Sequence, residues 1–291
     1  MTQPLHIAHL INPVRKPGDI ADELTRTQAL TFESMRIAAE HASPHVKVDL
    51  LTTQYGEDHP IIPDYFTKTP DLERSVADVH PFTVHRKLPI LCDLIERLVR
   101  GTEATCLVYT NVDIIVHPTF YREIAERAAE GLDAFIINRR RVPGHLDSVD
   151  DLPEIFELRG KPHPGFDCFV FHRSLYERFV LAEVCVGIPF IGILFAQNMF
   201  CHSQRFRLFD KDVLTYHVGM EVFKKRDPEY FAYNKAQFWQ AIETLFPILD
   251  SRKFPWGDRN VVFRMLRWGL HPSIPIRLAL RLEPRRWGFS G

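Results

Sequence analysis

The chain has 291 residues, 45% hydrophobic and 25% charged, enough for a substantial core in one large domain or two small ones. Lys and Arg total 36 against 37 Asp and Glu, so no global field draws the chain to nucleic acid, and any basic partner site must be local. Five cysteines, an odd count without a C-x-x-C pair, exclude a disulfide framework and structural zinc and point to buried thiols in a reducing compartment.

Leu5 to Val14 reads as a first buried strand that ends at Asn12-Pro13, followed by a polar loop through Lys16-Pro17-Gly18-Asp19. From Gln28 to Ala42 the apolar residues Phe32, Met35, Ala39 and Ala42 recur at helical spacing, and the helix stops near Ser43-Pro44. Val46 to Thr53 is the second strand. Residues 56–74, with Gly56, Pro60, Pro63, Pro70 and several charges, are expected to form a surface loop beside a ligand cleft rather than part of the core. Leu88, Leu91, Leu94, Ile95 and Leu98 mark a helix closed by Gly101, and a strand follows over Thr105 to Tyr109. Pro118 opens a helix that runs to Gly131, and Asp133 to Asn138 is again a strand. This order argues for a mostly parallel sheet with helices on both faces.

The second half is less regular. Residues 139–164 are rich in Pro, Gly and charge, Cys168 to Phe171 is a strand, and Val184 to Phe200 fits helix or strand. Arg207 to Val218 reads as another strand pair, and Tyr230 to Phe246 as a helix. The domain is taken to span 1–250. The remaining 251–291 form a basic, aromatic-rich tail with Trp256, Trp268 and Trp287, in which Arg277, Arg281 and Arg285 recur every four residues. Basic amphipathic helices lying on anionic membranes have this composition, and so do tails packed on their own domain. The amino terminus lacks a basic segment followed by an apolar one, and no run of about 18 apolar residues occurs, so a cytoplasmic chain that spans no membrane is expected.

Chemistry concentrates at Thr105 to Pro118, where the apolar run Cys106 to Tyr109 stops at Thr110-Asn111-Val112-Asp113. Ligands of open α/β sheets gather at the carboxyl ends of strands. Strand alternation would send Asn111 and Asp113 to one side, where the pair could hold a divalent cation. The competing reading of Asp113 is a turn residue capping the next segment. Arg86 and Lys87 precede a helix whose amino end would help them reach phosphate oxygens, unless they are simply solvated. Arg139, Arg140 and Arg141 follow a strand end and could meet a diphosphate or a phosphorylated acceptor, although such runs are usually solvated.

The order of these parts resembles the GT-A nucleotide-sugar glycosyltransferases, in particular the broad family-2-like group, over roughly residues 4 to 240. The residues that carry the likeness are the strand end at Asn12-Pro13, Arg86-Lys87-Leu88-Pro89, Tyr109-Thr110-Asn111-Val112-Asp113, Gly165-Phe166-Asp167 and Thr215-Tyr216-His217. The central motif of that family is usually Asp-x-Asp; here the first acid is replaced by Asn111.

The resemblance implies a GT-A-type mostly parallel mixed sheet and sugar transfer from a nucleotide diphosphate donor to an acceptor hydroxyl, in glycan synthesis. It puts Mn²⁺ or Mg²⁺ at Asp113 and His217, with Asn12, Pro13, Arg86, Lys87 and Asn111 around the donor. Asp167 would be the base on the acceptor side, and the acceptor a glycan or a lipid-linked one. Oxygen-preferring cations that keep open positions for substrate phosphates suit such a site. Asp167, beside a glycine turn, reads equally as a residue capping local amides. Two alternatives remain. A sugar nucleotidyltransferase would want a Gly-rich basic loop after the first strand, where Arg15-Lys16 stand with little glycine. In a catalytically silent GT-A-like binding module, Asn111 would mark lost metal chemistry. No P-loop, G-x-G-x-x-G, G-x-S-x-G or H-E-x-x-H motif supports a kinase, dehydrogenase, hydrolase or zincin.

Overall fold

Apolar runs and amphipathic segments alternate in a computed structural model that describes residues 4–15, 23–163, 165–219 and 227–248. The Lys16 to Asp19 loop and the basic tail, with the membrane contact expected of it, lie outside the described residues. The strands are β1 (Leu5–Ile11), β2 (Val46–Thr52), β3 (Thr67–Lys68), β4 (Cys106–Thr110), β5 (Ile115–Val116), β6 (Ala134–Ile137), β7 (Arg140–Val142), β8 (Lys161–Pro162), β9 (Cys168–His172), β10 (Phe206–Phe209) and β11 (Thr215–Val218). The helices are α1 (Glu23–Ala42), α2 (Val76–Val79), α3 (Leu91–Arg100), α4 (Phe120–Ala129), α5 (Leu152–Glu157), α6 (Ile191–His202) and α7 (Pro228–Leu245).

Seven strands form the main sheet in the order β10-β6-β9-β4-β1-β2-β3. All its neighbours pair in parallel except β9, which runs antiparallel between β4 and β6. This is the mostly parallel mixed sheet read from the sequence. One face, with Ile7, Ile11, Val108, Phe135 and Val170, packs under Phe32 and Met35 of α1 and Phe120 and Ile124 of α4. The other face presents Tyr109, Phe169 and Phe171, whose rings meet Phe195 of α6 at centroid distances of 6.1, 4.7 and 5.5 Å. Both faces are thus covered, as the near-continuous apolar strands require. Among the described residues no helix is long and apolar enough to cross a membrane.

A second sheet of four short strands, β5-β11-β7-β8, lies under α1, with Tyr216, Val218, Val142 and Ile115 packed on Leu30, Leu146 and Ile155. The expected strand pair over 207–218 therefore divides. β10 adds to the main sheet beside β6, and β11 goes to the second sheet, so the two never pair with each other. Nor is the 56–74 segment a surface loop throughout. It contains β3 and a turn of 3₁₀ helix at Gly56–Ile61, and it buries Ile62 and Phe66 in the main core, where Phe66 stacks edge-on to Phe32 at 5.4 Å. The helix expected from Leu88 begins at Leu91. Pro89 forces an extended backbone before it, and residues 89–91 hydrogen-bond to Val184 and Val186 instead.

Candidate active site

The chain leaves β1 for β2 on one side and returns to β4 on the other, which makes the carboxyl ends of β1 and β4 the switch point where open α/β sheets bind ligands. On the β1 side, Asn12 is buried and its Nδ2 donates to the Thr53 carbonyl at 2.7 Å, tying the ends of β1 and β2 together. Past Pro13, Gln28 of α1 clamps Val14 through both backbone groups, at 2.8 and 3.0 Å. Asp58, placed in a loop by its sequence context, accepts Arg15 N–H at 2.7 Å and Tyr55 N–H at 3.1 Å. Burial raises its carboxyl above the usual range against those two hydrogen bonds. Asp58 thus shapes the β1 side of the switch point.

On the β4 side, the strand ends at Thr110, and a turn closed by Ile114 N–H on the Asn111 carbonyl at 3.3 Å carries Asn111 and Asp113. Strand alternation does not extend to position 113. The two side chains part, Asn111 Nδ2 donating to Asp167 Oδ1 at 3.3 Å and Asp113 Oδ2 meeting His217 Nε2 at 3.2 Å. Asn111 and Asp113 thus make separate protein contacts along one edge.

His217 reaches Asp113 from β11, where its backbone is paired to Arg141. Burial opposes charge on Asp113, but the His217 hydrogen bond, the electrostatic pull of His217 and that of Arg139 outweigh it and hold the carboxyl below the ordinary range. Asp113 is therefore an anion at neutral pH, and its side chain is 30% exposed. Its Oδ1 and His217 Nδ1 are buried without a hydrogen-bond partner among the described residues.

Because β9 alone runs antiparallel, with Cys168 opposite both Thr110 and Ile137, Asp167 at its amino end arrives where β4 and β6 have their carboxyl ends. Arg139 follows β6 and is 2% exposed, and its Nη1 pairs with Asp167 Oδ1 at 2.9 Å. Arg139 is the functional-edge residue that the sequence hides, since a triple-arginine run reads as solvated.

Arg86 and Lys87 are not at a helix end, α3 beginning at Leu91. They also diverge. Arg86 lies 5.5 Å over the Tyr230 ring of α7, whereas Lys87 pairs with Glu57 at 2.6 Å and sits 4.1 Å over Tyr55, just past the β2 end. Of the two, Lys87 is the one near the carboxyl end of β2.

No protein-family profile matches the chain, and no curated protein matches it in sequence. Solved structures do. Residues 1–349 of S. aureus TarS in complex with UDP-GlcNAc share 10% identity and a TM-score of 0.54 over 97% of this chain and 78% of that one. The same protein in complex with UDP gives 0.51 over 82% of this chain and 65% of that one. Against the longer S. aureus TarS structure the TM-score is 0.51, and this chain covers 40% of its length. The chain has a GT-A fold. In this GT-A chain, Asn111, Asp113, Arg139, Asp167 and His217 come from four separate stretches of sequence to one edge of the sheets. Among the described residues, no group of three or more His, Cys, Asp or Glu is placed to hold a metal by protein ligands alone.

Proposed function

We propose that this chain is a glycosyltransferase that moves a sugar from a nucleotide diphosphate donor to an acceptor hydroxyl in glycan synthesis. The observation that carries the reading is Asp113, a partly exposed anion at the carboxyl end of β4, bonded to His217 beside the switch point. The fold it stands in is shared with a protein crystallised with UDP-GlcNAc.

Asp113 and His217 would hold Mn²⁺ or Mg²⁺. The orphaned Asp113 Oδ1 supplies a hard oxygen ligand and the imidazole a second donor, and two protein ligands leave positions for diphosphate oxygens. When bound, the cation would offset negative charge growing on the departing diphosphate. Asn12 and Pro13 set the β1 wall against the nucleoside, with Lys87 toward Tyr55. Asp167 takes the proton from the acceptor hydroxyl as its oxygen bonds to the anomeric carbon and the bond to the diphosphate oxygen breaks. Arg139 keeps that carboxylate in one orientation, and Asn111 reinforces it. The basic tail would add peripheral contact with an anionic membrane.

Calorimetry of the full chain with UDP-, GDP- and CDP-linked sugars, with and without Mn²⁺, tests this reading. Metal-dependent binding of at least one donor, lost in Asp113→Ala, is expected. Absence of metal-dependent binding across the panel would leave only a silent module.

A further inference from the structure

The three consecutive arginines after β6 have three different fates. Arg139 is consumed by Asp167. Arg140 points to the opposite side of β7 and donates Nε to the Asp212 carbonyl at 3.0 Å and Nη2 to the Lys211 carbonyl at 2.6 Å. Arg141 is paired in register with His217 of β11 on one side and Lys161 of β8 on the other. Side chains of registered residues in neighbouring strands share a face. His217, Arg141 and Lys161 therefore form a row across the second sheet. The opposite face, with Tyr216, Val218 and Val142, is sealed by apolar packing.

The row is built rather than incidental. Gly160, at φ +56°, brings β8 onto β7 so tightly that a Cβ there would fall 2.7 Å from Arg140 Cβ and 3.0 Å from the Arg141 carbonyl oxygen. Arg141 Nε is buried without a hydrogen-bond partner among the described residues, a state that costs stability unless a ligand completes it. A planar guanidinium fork beside an ammonium matches a phosphate oxyanion. The row runs from His217, at the proposed donor cation, to Arg141 and then to Lys161 on the edge strand.

We propose that Arg141 and Lys161 bind a phosphate group of the acceptor, so that the substrate glycosylated by this chain carries a phosphate. This rests on the glycosyltransferase reading for the identity of the neighbouring donor site. The test follows the arginine Nε–H signals of the full-length ¹⁵N-labelled chain, with Arg141 assigned from Arg141→Lys. Glycerol 3-phosphate, glycerol, and UDP with Mn²⁺ are added separately.

Glycerol 3-phosphate is expected to shift the Arg141 signal and glycerol to leave it unmoved. In Arg141→Ala and Lys161→Ala, affinity for glycerol 3-phosphate should fall by at least about tenfold, the worth of one charge-assisted hydrogen bond, while UDP affinity stays within about twofold. Lys161 is exposed, so its variant reports even if Arg141→Ala folds poorly. An Arg141 signal unmoved by glycerol 3-phosphate overturns the proposal. So does a loss of UDP affinity in both variants, which would give the row to the donor diphosphate. Failure of UDP to bind, with the glycerol 3-phosphate response intact, would remove the donor reading and keep the phosphate site.

Discussion

Removing the Arg139 guanidinium should damage the fold more than any exposed charge change on this chain. Arg139 is 2% exposed, its Nη1 lies 2.9 Å from Asp167 Oδ1, and the Asp167 side chain is 12% exposed. At an effective dielectric of about 20, unit charges this close attract by about 6 kcal/mol, most of which offsets the desolvation of the two ions. Arg139→Met removes this guanidinium from a buried carboxylate, for an expected loss of about 3–5 kcal/mol in urea unfolding at neutral pH. Neutralising the carboxylate in Arg139→Met/Asp167→Asn should recover a large part of that loss, because an amide can be buried at far smaller cost than an anion. The reasoning is refuted if the single variant loses less than about 1 kcal/mol, or if the double variant is no more stable than Arg139→Met alone.

His9 sits inside the main sheet with Nδ1 on Tyr121 Oη and Nε2 on Thr110 Oγ1, both at 2.9 Å, and burial lowers its pKa to about 3. The unfolded chain takes up a proton below about pH 6.5 and the folded chain does not, so stability is complete above that pH and falls as pH drops toward 3. Between about pH 7.5 and about pH 5 this group alone should cost about 2 kcal/mol, read as the extra loss in urea midpoint of the wild type over His9→Gln. Equal slopes for the two proteins would count against it. At Gly192, in the first turn of α6, an added Cβ would lie 2.5 Å from the Phe166 carbonyl oxygen, so Gly192→Ala should destabilise by about 1–3 kcal/mol in thermal or urea unfolding. A neutral or stabilised variant, as helix propensity alone would give, would show that α6 is free to move away from the Asp167 loop.

Strands β1, β2, β4, β6 and β9 of the main sheet were legible because they are short apolar runs bounded by turn residues, β4 with its Asn111-Val112-Asp113 end most clearly, whereas the two-residue, polar β3 was not. The start of α1 was not. Its first turns bury Thr27, Gln28, Thr31 and Ser34, polar residues that serve the neighbouring strands, as Gln28 clamps Val14 and Ser34 Oγ accepts Val116 N–H at 3.1 Å. No apolar periodicity records such a face. Asp113 was legible as an acid at the end of an apolar strand, the resemblance to GT-A glycosyltransferases put His217 beside it, and the structure brings the two together. Arg139 was not legible, since a charge run carries no sign of which member turns inward. Asn12 shows the reverse case: a strand-end polar residue whose amide goes to the neighbouring loop carbonyl. The turn that separates Asn111 from Asp113 depends on where β4 ends, a boundary that residue type alone places only to within a few positions.

The reversed direction of β9 has a consequence for how this protein matures. β9 pairs between β4 and β6, and that pairing carries Asp167 to Arg139 and to Asn111. Such distant pairings form late, because loop-closure entropy must be overcome first. A chain with β1, β2 and β4 already assembled would still lack the Asp167–Arg139 pair, so the ordering of that edge should come in a single step with completion of the sheet.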